Sequence, residues 1–163
     1  MHGESLGFFL TWTCYGTWLP GDQRGWIRWH RGYESPRPRL EAWCRDRLDL
    51  QPIYLDLAQR SIVETTVEEH AQKRGWRLHR VNCRSNHVHV VVSAPSVAGE
   101  VVRDQLKAWC TRRLNEHVGS SGQRRWWARG GSIRVLFDED ALAAASEYAS
   151  EAQERGGGHA GNR

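Results

Sequence analysis

Seven segments whose apolar spacing switches between the two-residue period of strands and the near-3.6 period of helices predict a mixed α+β domain. Two features narrow the architecture. A short link, Arg84-Ser85-Asn86, joins two strand-like runs as a hairpin, and a Pro- and Arg-rich stretch over residues 22–54 interrupts the pattern after the first strand. At 163 residues and 18.7 kDa the chain suffices for one hydrophobic core. Residues 1–154 are expected to form it, with 155–163, which carry Gly156-Gly157-Gly158, as a disordered tail.

The elements follow in order. Residues 7–13 (Gly-Phe-Phe-Leu-Thr-Trp-Thr) are aromatic and β-branched and predict a first strand. Residues 15–22 are rich in turn formers. In the insertion, Pro36, Pro38 and Pro52 predict irregular chain, and so long a loop points to function. Leu55, Ala58, Ile62, Thr66 and His70/Ala71 keep helical spacing, predicting a helix over 55–74 that Gly75 stops. Trp76, Leu78 and Val81 mark a second strand over 76–83. A third spans 86–93, with Val88, Val90 and Val92 on one face and His87, His89 and Val91 on the other. Pro95 and Ser96 are expected to open a second long helix with Val97, Val101, Leu106, Trp109 and Leu114 near one face, fading at Val118-Gly119. A flexible turn (119–122) and a short fourth strand (133–137) follow. Asp138 or Asp140 then caps a last helix over 141–153. Without the insertion this is βαββαβ, the ferredoxin-like split βαβ, plus an extra C-terminal helix.

Composition limits the function classes. A net charge of +4 and pI near 9.1 favour a polyanionic partner. Arginine strongly outnumbers lysine, and there are nine tryptophans. Guanidinium forks pair with phosphates and indoles stack on unpaired bases, although about half of these indoles are expected only to fill the core. Cys14, Cys44, Cys83 and Cys110 form no C-x-x-C pair, which argues against a zinc ribbon or disulfide framework. No secretory apolar region follows Met1, and no apolar run approaches the roughly 20 residues of a membrane helix. The expectation is a cytoplasmic protein with no membrane partner.

His87-Val88-His89 carries the chemistry. Strand alternation points both imidazoles to one face, about 7 Å apart along the chain, where they can grip one divalent ion. The ordinary alternative is a pair of exposed or hydrogen-bonded histidines. Tyr148 lies in the last helix among small residues (Ala141, Ala143, Ala144, Ala145, Ala149). A phenol, with its ordinary pKa near 10, becomes a useful nucleophile towards a phosphodiester polarised by a metal; otherwise it is a packing tyrosine. A third ligand is needed. Glu151, three residues after Tyr148, shares its helix face, whereas Gln153 offers an oxygen suited to Mg²⁺ or Mn²⁺. A weaker alternative is zinc held by Cys83 with His87 and His89.

Basic residues are expected to hold nucleic acid. Arg24 and Arg28 lie in the insertion; Arg103, Lys107, Arg112 and Arg113 mark the second long helix. Arg124, Arg125, Arg129 and Arg134 follow, interleaved with Trp126 and Trp127. Against this, Asp138, Glu139, Asp140, Glu147, Glu151 and Glu154 make the last helix acidic.

Three motifs resemble one known family. Thr11-Trp12-Thr13-Cys14-Tyr15-Gly16-Thr17-Trp18-Leu19-Pro20-Gly21-Asp22 with Arg24-Gly25-Trp26, then Asn86-His87-Val88-His89-Val90-Val91-Val92, then Trp127-Ala128-Arg129-Gly130-Gly131-Ser132, look like the REP-associated tyrosine transposases, within the single-tyrosine HUH transposase group. The resemblance runs in order from about Gly7 to Gln153. It implies a ferredoxin-like fold, a divalent metal on His87 and His89, and Tyr148 attacking single-stranded DNA with hairpin or palindromic ends. The family leaves a 5′-phosphotyrosine and a free 3′-hydroxyl that later reverses the reaction. Gln153 resembles the family's polar ligand after the tyrosine, with a gap of five residues where some relatives use four. Some relatives form homodimers with the tyrosine in trans and others act alone; both stay open. So does a domesticated form that binds DNA hairpins without cutting. A DNA partner would place the protein at a prokaryotic nucleoid.

Overall fold

The computed structural model describes residues 4–28, 31–119 and 125–156, with side chains through residue 150 in the last helix. In chain order its elements are β1 (Gly7–Thr13), β2 (Trp26–Arg28), β3 (Gly32–Glu34), α1 (Pro38–Asp46), α2 (Leu57–Arg74), β4 (Arg77–Cys83), β5 (His87–Ser93), α3 (Gly99–Val118), β6 (Ser132–Leu136) and α4 (Glu139–Gly156). Four strands form one antiparallel sheet in the order β4-β5-β1-β6. With the insertion set aside, this is the strand order of the split βαβ fold, as the sequence predicts.

Alternation along β1 and β5 sorts the sheet into two faces. Leu10 and Trp12, with Val88, Val90 and Val92, pack under α2 (Val63, Val67, Ala71) and α3 (Val102, Leu106, Cys110, Leu114) in the main core. The opposite face carries a smaller cluster in which Val91 and Leu136 meet Ala145 and Ala149 of α4, with Phe9 packed against it. Thus α4 shares its side of the sheet with His87 and His89.

Local chemistry explains the boundaries. Asp56 accepts from Gln59 N (2.8 Å) while the Gln59 side chain accepts from Asp56 N (3.0 Å), a reciprocal cap that starts α2. Gly75 (φ 71°) ends it in the left-handed region. Asp138 caps α4 by accepting from Ala141 N at 2.7 Å. Leu78 and Val81 pack against the same core, although a regular strand would put residues three apart on opposite faces. A register shift between Leu78 and Arg80 resolves this by bulging β4.

The structure corrects three expectations. The insertion is not wholly irregular: β2 and β3 pair as a small hairpin, and α1 starts at Pro38. Proline suits the first turn of a helix, where its missing N–H has no partner to lose. The second long helix starts at Gly99 rather than at Pro95, because Ser96 takes a positive φ (63°) that breaks the helix there. Its buried face is Gly99, Val102, Leu106, Cys110 and Leu114, so Val101 faces solvent. No described helix is long and apolar enough to cross a membrane.

Candidate functional site

In an antiparallel pair, directly opposed residues share a face. Thr11 stands opposite His89 and Thr13 opposite His87 across β1 and β5, while Asn82 of β4 opposes His89 from the other side. One row across the sheet therefore reads Asn82, His89, Thr11, Ser132. The next reads Arg80, Val91, Phe9, Arg134.

The two imidazoles lie with ring centroids 4.7 Å apart. His87 Nδ1 donates to Asn86 Oδ1 at 2.7 Å, since an amide oxygen only accepts. That leaves Nε2 of His87 with a free lone pair. His89 Nδ1 meets Thr11 Oγ1 at 2.9 Å, a pairing that suits the same tautomer because a hydroxyl oxygen can accept. Asn86 is itself held where Cys14 N donates to its carbonyl (2.8 Å), tying the β4–β5 link to the end of β1. Burial, with smaller contributions from Arg84 and Arg24, lowers the pKa of His87 below the usual histidine range. Burial and then the neighbouring His87 lower that of His89 to about 4. Neutral imidazoles are the form that binds metal.

Tyr148 of α4 reaches the same place. Its ring centroid is 6.3 Å from that of His89 and 6.0 Å, edge-on, from that of Phe9. Phe9 stacks on His89 at 5.4 Å, so it backs both groups. Ala145 and Ala149 are buried beneath the helix, and their small size lets α4 lie close to the sheet. Asn82 fixes the helix where it matters by donating from Nδ2 to Ala149 O at 2.8 Å. Tyr148 itself remains 59% exposed.

The Asn82 latch is expected to matter locally. Asn82→Ala loses one hydrogen bond worth about 1 kcal/mol, so amide exchange in the middle of α4 should quicken about fivefold with α2 unchanged. Equal protection of α4 in both proteins would show that the latch does not hold the helix.

The proposed third ligands, Glu151 and Gln153, have side chains outside the described residues. Among the described residues no three His, Cys, Asp or Glu side chains gather. Cys83 is not a partner of the imidazoles. It opposes Val88 and is buried in the main core, on the other face, where desolvation raises its thiol pKa.

The predicted nucleic-acid residues separate. Trp126 is corrected: it is 2% exposed, with Nε1 donating to Asn115 Oδ1 at 2.8 Å, and so is a core residue rather than a stacking platform. Arg24 is bound bidentately to Asp22 (2.8 and 2.7 Å) and donates to Thr17 O. Arg28 lies 3.9 Å from Glu34 and over Trp26. Lys107 donates to Ala128 O (3.0 Å) and Gly130 O (2.7 Å), a tether between α3 and the chain before β6. Arg112 and Arg113 face Glu116 and Glu69 on the helix layer, across the sheet from the imidazoles. Arg125 is exposed over Tyr15, and Arg129 is exposed; Arg124 lies outside the described residues.

Sequence reading did not single out Phe9, Asn82 or Arg80. Phe9 could have been placed by alternation from Leu10 and Trp12. Asn82 and Arg80 needed the cross-strand register and the bulge.

The fold has solved counterparts. The chain aligns with a REP-associated tyrosine transposase bound to a REP hairpin over 96% of its own length and 72% of that chain, at TM-score 0.55 and 9% identity. A candidate transposase from Deinococcus radiodurans aligns over 90% of both chains, at TM-score 0.47 and 14% identity. The first likeness, at that identity, is one of fold. No protein-family model matches the sequence, and no curated protein does.

Proposed function

We propose that this chain cuts and rejoins single-stranded, hairpin-associated DNA, with Tyr148 as nucleophile and His87 and His89 as ligands of a divalent cation, Mg²⁺ or Mn²⁺. The observation that carries the reading is the meeting of two imidazoles and one phenol on one sheet face, with His89 and Tyr148 rings 6.3 Å apart. The shared fold supports it, since the neighbour of that fold is a transposase bound to a DNA hairpin. The nearness of Tyr148 to His89 of its own chain supports a tyrosine that acts in cis.

The donor set fits a cation. Both Nδ1 atoms are engaged, by Asn86 and Thr11, which leaves each Nε2 as the nitrogen that would ligate the ion. The bound ion would supply positive charge to the non-bridging oxygens of the scissile phosphate. Gln153 or Glu151 is the proposed third donor.

The chain's own groups do the rest. The Tyr148 oxygen attacks phosphorus and loses its proton to water. The tyrosine O–P bond forms as the bond to the 3′-oxygen breaks, and that oxygen takes a proton from water to leave as a 3′-hydroxyl. Phosphotyrosine keeps the energy of the broken linkage, so the reverse attack rejoins strands without a nucleotide cofactor. Arg80 and Arg134 flank the row that contains Phe9, and both are exposed with no ion pair among the described residues. They are the proposed phosphate contacts nearest the phenol.

The test follows from polarity. A 3′-labelled oligonucleotide with a hairpin should transfer its label to protein on a denaturing gel when Mn²⁺ is present, and not with EDTA. A 5′-labelled strand should yield shortened free DNA. Imidazole ligands favour Mn²⁺ over Mg²⁺, so adduct formation is expected to need less Mn²⁺. Tight hairpin binding without an adduct, across several metals and hairpins, would identify a non-cleaving hairpin-binding protein.

A further inference from the structure

The imidazole–phenol site leaves unused the motif that runs from Gly16 to Trp26. In the structure this segment builds a wall. Arg24, clamped by the buried Asp22, lies over Trp18 at 4.2 Å, and Trp18 Nε1 donates to Gly25 O at 2.8 Å. The phenol end of Tyr33 of β3 packs against Gly25, which has no room for a side chain, and its hydroxyl donates to Arg24 O at 2.9 Å. Each aromatic group is therefore locked by a polar contact and still turned outward.

Across from this wall the sheet edge opens. Strand β6 pairs with β1 only as far as Ser132 and Thr11, and Ala128 N then returns to Thr13 O at 3.0 Å. Between these points Arg129, Gly130 and Gly131 stand opposite the single residue Trp12 of β1, so the edge bows. Gly130 (φ 76°) and Gly131 (φ 137°) supply a backbone that other residues rarely adopt, and a Cβ on Gly131 would stand 2.7 Å from Thr11 O. Lys107 and Arg103 hold the bow by donating to its carbonyls. The resulting cleft measures about 490 Å³, within the roughly 300–1,000 Å³ of small-ligand sites. Trp12, which also lines it, has an indole Nε1 that is buried without a partner among the described residues.

Thr11 joins the cleft to the chemistry, because it lines the one and bonds His89 in the other. We infer that the cleft between the insertion hairpin and the β1–β6 edge is a slot for one unpaired nucleobase of the single strand, seated beside the scissile phosphate. The inference rests on the proposed DNA-cutting reading and deepens it. Flat aromatic walls suit a base face, and the exposed Arg129 at the rim matches the phosphate that any nucleotide brings. A purely apolar occupant would leave that cationic rim unmatched.

The test uses the full chain carrying Tyr148→Phe, so that binding is read without cutting. Two fluorescent single-stranded hexamers serve as probes, one normal and one with abasic sugars throughout. The normal hexamer should bind more tightly. Trp18→Ala should weaken it about tenfold or more and largely erase its advantage over the abasic probe. Ile27→Gln, a neutral change at a cleft residue 74% exposed and so harmless to folding, should weaken it in the same direction. Equal binding of the normal hexamer by parent and both variants, or no preference for bases in the parent, overturns the slot and assigns the cleft to another ligand. The cutting reading fails separately: base-dependent binding in the cleft, with no adduct from the wild-type chain, would sink that reading and leave the slot standing.

Discussion

Tyr148→Phe is expected to abolish covalent capture of DNA while leaving the fold intact. The substitution removes a single oxygen from a ring that is 59% exposed, and keeps the edge contact with Phe9. Surface changes of this kind move stability by no more than about 0.5 kcal/mol, so the melting temperature should hardly shift. Loss of a nucleophile, by contrast, removes the step itself, and cleavage should fall by roughly 10³-fold or more. Affinity for the same hairpin should survive, because the phenol oxygen is one of several proposed contacts to the strand. The remaining tyrosines give the control its force. Tyr15 is buried, Tyr33 is bonded to Arg24 O, and Tyr54 is exposed outside the row of site residues. An adduct that persists at full yield in Tyr148→Phe would mean that one of these, or another side chain, attacks the phosphate.

Much of the fold could be read because local chemistry and tertiary packing agree. Gly75 stops α2 by its place after the last apolar position, and in space it does so in the left-handed region. Val88, Val90 and Val92 against His87 and His89 separate the sheet's faces by a period that no packing alters. The site was legible for the same reason: two histidines two apart on a strand must share a face, and the helix after the last strand must cover one face or the other. What escaped were effects that need a partner distant in sequence. The start of α3 follows the positive φ of Ser96, which the sequence does not reveal, and the close approach of Gly99 to Ile133 and Phe8 of the sheet is equally hidden there. Trp126 and an exposed indole look alike in sequence; its place in the main core and its bond to the Asn115 amide of α3 distinguish them. Asn82 gains its role from the Ala149 carbonyl, which is 67 residues away.

Removing the imidazoles should be as damaging as removing the phenol, but with a different signature. His89→Ala deletes a ring that is 8% exposed, stacked on Phe9 at 5.4 Å and bonded to Thr11, so some stability is lost together with the proposed ligand. Activity alone cannot separate the two effects. Thr11→Val can, because valine keeps nearly the same shape while losing the oxygen that holds His89 Nδ1. Partners of that kind typically tune metal affinity by about 10–100-fold, so Thr11→Val should need that much more Mn²⁺ for half-maximal adduct formation and recover near-normal yield at saturation. His87→Ala and His89→Ala should not recover at any Mn²⁺ concentration, and Mn²⁺ titration calorimetry on the folded variants should show binding lost. A purely structural role for the pair predicts the opposite pattern. Each variant would melt earlier, and those still folded would keep an unaltered Mn²⁺ dependence, which would remove the cation from the mechanism and leave Tyr148 beside two packing histidines.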